Sequence, residues 1–164
     1  PTYGARTADL IAAYQKAFPL MKPFEIYGVI TGTSSYRINA VTQAELKAAQ
    51  NAAPAYMYWF GWKTPVLDGR PLAYHCQDLA FWFDNIDLAA QATGGTDDAR
   101  ALATKMSRAF VAFAKTGNPV HPGLPTWDRF TAGNRATMVF ENDGKSRQHI
   151  DPDREARALL KSLM

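Results

Sequence analysis

One cysteine, Cys76, and three histidines are all that 164 residues contain of the residue types most used for soft-metal binding and neutral-pH acid–base work. A solitary thiol excludes an internal disulfide, and with it the cross-linked framework of small secreted scaffolds. No apolar run approaches the roughly 20 residues that a helix needs to cross a bilayer, so no membrane partner is expected. The net charge of +3 comes from lysines and arginines scattered among acids. No basic run is interleaved with aromatics, so no nucleic-acid partner is expected either. A soluble chain is implied, with a cytoplasmic setting slightly favoured. Internal repeats, low-complexity tracts and splitting linkers are also missing, which predicts one segment over residues 1–164 without an internal boundary. The chain opens on Pro1 with no charged-then-apolar leader, and this predicts further chain upstream.

What is present is core material. With 47% hydrophobic residues the chain is too apolar for disorder. Thr7 is expected to cap a helix with the stripe Leu10, Ile11, Tyr14 and Phe18, stopped by Pro19. "PFEIYGVITGT" fits neither period cleanly, and a short helix is favoured. Ser34 or Ser35 is expected to cap a second helix running to about Ala52. "AYMYWFGW" is apolar at odd and even positions alike, the pattern of a strand over residues 55–60 covered on both faces, which should not lie at a sheet edge. Leu102, Met106, Phe110 and Phe113 form the stripe of the strongest helix, ended by Lys115, Gly117 and Pro119. "HPGLPTWDRF" is loop. "ATMVFEN" is a second strand, turned by Asp143 and Gly144, and Asp151 with Pro152 opens a last helix bearing Ala156, Leu159, Leu160 and Leu163. About four helices and two strands make an odd inventory, because a layered α/β protein needs several adjacent strands.

The candidate for ionisable chemistry is His75, in "PLAYHCQDLAFWFDN". His121 and His149 sit in polar loops and are expected to be structural. Three chemistries could be built at His75. A metal site with Cys76 and Asp78 has suitable ligand types, but neighbouring side chains on extended chain point apart and a fourth ligand is not in view. Cys76 as a nucleophile paired with the adjacent His75 meets the same geometric objection. A serine nucleophile would need His75 to take its proton and a carboxylate to orient the imidazole. Ser34 in "VITGTSSY" mimics part of a nucleophile elbow, but the position two after it is Tyr36, where the strained turn wants a small residue. Trp59, Trp62, Phe81 and Trp82 could line an acyl or alcohol pocket, although aromatics at such spacings more often belong to a core.

Three stretches together are familiar. "YMYWF" followed by "AYHCQDLAFWF", then "FAKTGNP", then "PTWDRF", within a likeness that spans nearly the whole sequence, resemble the carboxyl-terminal third of type B carboxylesterases. These are α/β-hydrolases that include para-nitrobenzyl esterases and cholinesterases. The resemblance implies an α/β fold of which this chain is the C-terminal part, incomplete without an N-terminal portion. It implies that His75 is the catalytic histidine of a Ser-Glu/Asp-His triad. Asp78 falls where the family usually has glutamate, a supporting position, and Cys76 replaces the usual glycine beside the histidine. In this family the serine elbow, the triad acid and the glycine-rich oxyanion loop precede the histidine. The implied substrate is a small carboxylic ester, with no cofactor and no metal. The implied partner is the missing portion of the same protein or a swapped copy. A non-catalytic cholinesterase-like adhesion or binding protein is the alternative function.

Overall fold

The computed structural model describes residues 3–142 and 144–164. Pro1 and Asp143, the latter placed by the sequence in a turn, lie outside the described residues. The elements are α1 (Thr7–Ala17), α2 (Pro23–Gly32), α3 (Ile38–Ala49), β1 (Met57–Phe60), α4 (Asp78–Trp82), α5 (Ala90–Thr93), α6 (Asp97–Thr116), β2 (Ala136–Phe140), β3 (Arg147–Ile150) and α7 (Arg154–Ser162).

β1 pairs parallel with β2, Met57 opposite Thr137 and Phe60 opposite Phe140, and β2 pairs antiparallel with β3. The sheet order is β1-β2-β3. Parallel neighbours need a long crossover, and here it is built of α4, α5 and α6. Both faces of the sheet are covered. Tyr56 and Phe60 of the β1 segment and Met138 and Phe140 of β2 join Trp62, Phe81, Leu102, Met106 and Trp127 in one core under α4 and α6. On the opposite face Met57 packs with Val41 and Phe130, while Leu10, Tyr14, Ile26, Ile30, Ile38 and Leu160 form the core of α1, α2, α3 and α7. The alternation of side chains along an extended strand thus supplies two cores from one aromatic run.

The two-faced covering expected of β1 is met only in part, since Met57 is buried but Tyr58 is exposed and Trp59 and Phe60 are half-buried, and its expected interior position is not met: among the described residues β1 is an edge of the sheet. Burial on both faces is set by side chains, whereas an edge is a matter of backbone partners, and the hydrophobic pattern reports only the former. At the end of the β1–β2 ladder, Asn142 continues the pairing with its side chain. The Lys63 amide donates to Asn142 Oδ1 at 2.6 Å, and Asn142 Nδ2 donates to the Lys63 carbonyl at 2.6 Å.

Three further expectations are corrected. Ser34 and Ser35 cap nothing: α2 runs into α3 through a π turn over Thr33–Arg37, with helical dihedrals at both joins. The Ser34 hydroxyl donates back to the Thr31 carbonyl at 2.8 Å, the interior bond of a helical serine. Thr7 likewise continues a short 3₁₀ turn, its hydroxyl donating to the Gly4 carbonyl at 2.8 Å rather than accepting from an amide. α6 ends as expected, on a left-handed Gly117 whose amide reaches the Phe113 carbonyl at 2.7 Å. Its stripe, however, is Ala99, Leu102, Ala103, Met106 and Ala109, and Phe110 and Phe113 lie partly exposed. β3, "RQHI", carries no hydrophobic alternation and was not expected as a strand.

The cluster that joins the outer helices to the sheet connections is ionic. Arg37 lays its guanidinium fork on Asp153, with Nε and Nη2 each at 2.7 Å from a carboxylate oxygen. Arg157 donates to both Asp153 and Asp151. Arg135 reaches Asp151 at 3.2 Å and Glu45 at 2.8 Å. The Asp153 side chain is fully buried and that of Arg37 is 9% exposed.

Candidate functional site

His75 lies in the connection that leaves the carboxyl end of β1 and enters α4. In open α/β sheets, ligands bind beyond that end of the strands. The connection is fastened from below. Thr64 Oγ1 donates to the Ala92 carbonyl at 2.7 Å, Trp62 Nε1 to the Thr93 carbonyl at 3.2 Å, and the buried Gln77 amide to the Ala92 carbonyl at 3.4 Å. Gly94 makes this close approach possible. Its φ is +90°, and a Cβ there would stand 2.3 Å from Pro65 Cγ.

The His75 side chain is exposed at the rim of an open cleft of about 1050 Å³ that runs past β1. Its ring stacks on Tyr36, with centroids 5.4 Å apart and planes inclined by 17°. Among the described residues none hydrogen-bonds to its ring nitrogens. The contrast with His121 is sharp: Nδ1 sits 2.7 Å from the Pro122 carbonyl and Nε2 sits 3.0 Å from the Lys105 carbonyl, so both nitrogens are occupied. His149 lies on β3, opposite Thr137.

Asp78 opens α4, three residues after His75, and its carboxylate accepts the Tyr58 hydroxyl at 2.7 Å. Burial first, and then the adjacent Asp78 carboxylate, push the Tyr58 phenol up to about 12. Both causes favour the neutral phenol, which keeps the donor that the bond to Asp78 requires. Asp78 therefore pins the first turn of α4 to β1.

Cys76 is exposed and its φ is +65°. That left-handed conformation costs an L-residue roughly 1–2 kcal/mol and costs glycine almost nothing. This gives a physical reason for the glycine that the family resemblance implies at this position. Cys76→Gly is expected to stabilise the chain by a few tenths to about 1 kcal/mol, since relief of the strain is offset in part by the greater freedom of unfolded glycine. The urea midpoint checks it, and a lower midpoint would show that the thiol contributes packing.

Elsewhere on the cleft wall, Glu25 accepts the Lys22 amide at 2.6 Å and Lys63 Nζ at 2.8 Å. Burial works to raise its carboxyl, but these two hydrogen bonds outweigh it and hold the carboxyl below its ordinary value. Trp62 and Phe81 belong to the core, whereas Trp59 faces the cleft and carries the Arg37 guanidinium 4.1 Å above its ring centroid. Among the described residues no three His, Cys, Asp or Glu side chains are grouped to hold a metal ion. Nor is any helix among them long and apolar enough to cross a membrane.

Two groups near the site escaped sequence reasoning. Tyr36 figures there only as an objection to a serine elbow, because a π turn leaves no mark in hydrophobic spacing. Tyr58 enters there only as one aromatic of the strand, because apolar patterning does not register its hydroxyl.

Solved esterases of the α/β-hydrolase fold share this arrangement of sheet and helices. An esterase from Clostridium hathewayi, described as able to hydrolyze aliphatic aromatic polyesters, superposes with a TM-score of 0.80 over 99% of this chain and 31% of its own; at 24% identity it shows the fold. The carboxylesterase EST55 of Geobacillus stearothermophilus at pH 6.2 gives a TM-score of 0.73 at 30% identity over 95% of this chain and 32% of its own.

The carboxylesterase family model matches residues 22–157, and the chain belongs to that family. A phenmedipham hydrolase of Pseudarthrobacter oxydans is 29% identical over 74% of this chain. A para-nitrobenzyl esterase of Bacillus subtilis is 32% identical over 71% of it. The match covers about a quarter of the length of these two relatives, 25% and 24%.

Proposed function

We propose that this chain supplies the catalytic histidine, His75, to a serine carboxylic-ester hydrolase, as the C-terminal segment of its α/β-hydrolase domain. The nucleophile, the triad acid and the oxyanion hole would lie on parts of the family fold that these residues do not span. One observation supports the reading most: an exposed imidazole with both nitrogens open stands at a cleft, in the connection from a parallel strand.

The chemistry asks little else of this segment. A serine hydroxyl is a poor nucleophile until a base takes its proton, and a neutral imidazole near its own pKa can do so. As oxygen attacks the carbonyl carbon, the proton passes to one ring nitrogen while the other donates to the acid. The same proton then goes to the departing alkoxide, and a water molecule repeats the cycle on the acyl-enzyme. Asp78 supports His75 by fixing the start of α4 through Tyr58, and Cys76 is the neighbouring residue at which the backbone turns left-handed.

Assayed by itself, the chain should turn over no 4-nitrophenyl ester above the buffer blank, because nucleophile and oxyanion hole together account for most of the acceleration. Robust hydrolysis by it, abolished in His75→Ala, would overturn the reading and revive Ser34. The reading frame ahead of Pro1 is the second test. A Gly-x-Ser-x-Gly there supports the enzyme, and a substituted serine favours an adhesion or binding protein that keeps the fold without the chemistry.

A further inference from the structure

We infer that Tyr36 is a positioning residue for this reaction: the π turn between α2 and α3 lays its ring against the face of His75 and so fixes the plane in which the imidazole presents its nitrogens to the cleft. This rests on the reading of His75 as the general base.

An exposed histidine in a turn rotates freely on the picosecond-to-nanosecond scale unless something holds it. A hydrogen bond from one ring nitrogen to the triad acid would fix that nitrogen but not the twist of the ring about the bond, and among the described residues no other hydrogen bond reaches His75. Its backbone turns through left-handed residues on either side, Leu72 at φ +56° and Cys76 at φ +65°. What the structure places against the ring is Tyr36, nearly parallel at 17°. Contact with a face leaves both edge nitrogens unobstructed, one for the serine proton and the other for the hydrogen bond to the triad acid.

Tyr36 is itself held, although the residue is 61% exposed. The next residue is Arg37, whose fork is fixed on the buried Asp153 by two bonds of 2.7 Å and whose guanidinium lies over Trp59 of β1. With the backbone helical on both sides of the π turn, holding Arg37 holds the backbone from which the Tyr36 side chain leaves. π turns recur at functional sites for this reason: the extra residue re-aims side chains that a regular helix would send elsewhere. The sequence of contacts is then Asp153 to Arg37, Arg37 to Tyr36 through the backbone, and Tyr36 to His75.

Orientation acts on the chemical step. Productive geometry has to be held within about 10–20°, and misplacement of a reacting group by about 1 Å can cost about a hundredfold. Tyr36→Leu should therefore lower kcat roughly tenfold with KM little changed, while Tyr36→Phe, which keeps the face and loses only the hydroxyl, should stay within about twofold of the parent.

The test has two arms. In the chain itself, proton NMR of the His75 ring reads the stack directly: the ring protons should be displaced upfield by the aromatic face, as strongly in Tyr36→Phe, and released in Tyr36→Leu. No difference between Phe and Leu overturns the contact. In the family-length polypeptide carrying this segment, kcat and KM are measured for the same two variants and for His75→Gln. If His75→Gln abolishes turnover and Tyr36→Leu leaves kcat intact, the positioning role is overturned while His75 stands. If Tyr36→Leu changes KM alone, Tyr36 contacts substrate and the positioning role fails. If His75→Gln retains full kcat, the functional reading fails and this inference with it.

Discussion

Asp153→Ala is expected to destabilise the chain by about 3–5 kcal/mol, enough to leave little folded population in a protein of ordinary stability. The Asp153 side chain is fully buried and accepts from Arg37 and Arg157 at once. Removing it does more than delete hydrogen bonds. Arg157 retains Asp151, but among the described residues Arg37, 9% exposed, keeps only the face of Trp59 against a desolvated charge. The penalty is thus chiefly that of a stranded guanidinium. Arg37→Met combined with Asp153→Ala should consequently cost clearly less than the sum of the two single changes, since no such charge is stranded. Urea unfolding checks both. For contrast, Glu155→Gln, which breaks the exposed pair with Lys16, should leave the midpoint unmoved. An Asp153→Ala midpoint equally unmoved would show that the cluster is a solvated ornament.

Phe140→Ala ranks next, at about 3–5 kcal/mol. Phe140 ends the central strand with no exposed surface. Its ring meets Trp82 edge-on with centroids 5.7 Å apart, Trp127 edge-on at 5.8 Å, and Tyr58 at 6.3 Å. These three aromatics stand on three separate segments, so none can move into the void without dragging its own element, and the cavity stays open. Aromatic pair contributions of about 0.5–1.5 kcal/mol each are lost besides the transfer term. Leu88→Ala removes a side chain 91% exposed and is expected to stay within about 0.5 kcal/mol. Because Phe140 lies on the face away from the Arg37 cluster, the losses in a Phe140→Ala, Asp153→Ala pair should add.

How much of this was legible beforehand varied with the kind of interaction. The helices α1, α6 and α7 could be read because burial imposes a period on apolar residues, and Leu102, Met106 and Leu160 are where that period put them, whereas β1 showed as an unbroken aromatic run and α2 fitted no period cleanly. β3 could not, for "RQHI" is held to β2 by backbone bonds and offers no apolar face. The π turn was invisible for a similar reason, as its serines satisfy cap statistics while its dihedrals remain helical. Nor could the ionic cluster be read. Asp151 and Asp153 look like the start of a helix, and only the folded chain brings Glu45, Arg135 and Arg37 to them. His75 was singled out by the resemblance of its surrounding block; its open nitrogens and the face of Tyr36 are tertiary facts. Phe110 and Phe113 show the converse, a periodic stripe that promises burial and is left half in water.

The link between Arg37 and Asp153 also has a kinetic side. The two residues are separated by 116 positions, so the closure that neutralises the guanidinium is among the most distant in the chain, and its entropic toll falls early, before the contact rewards it. The turn that shapes the histidine's surroundings therefore settles late in folding. A refolding experiment should find helical signal returning well before the tyrosine–histidine contact does.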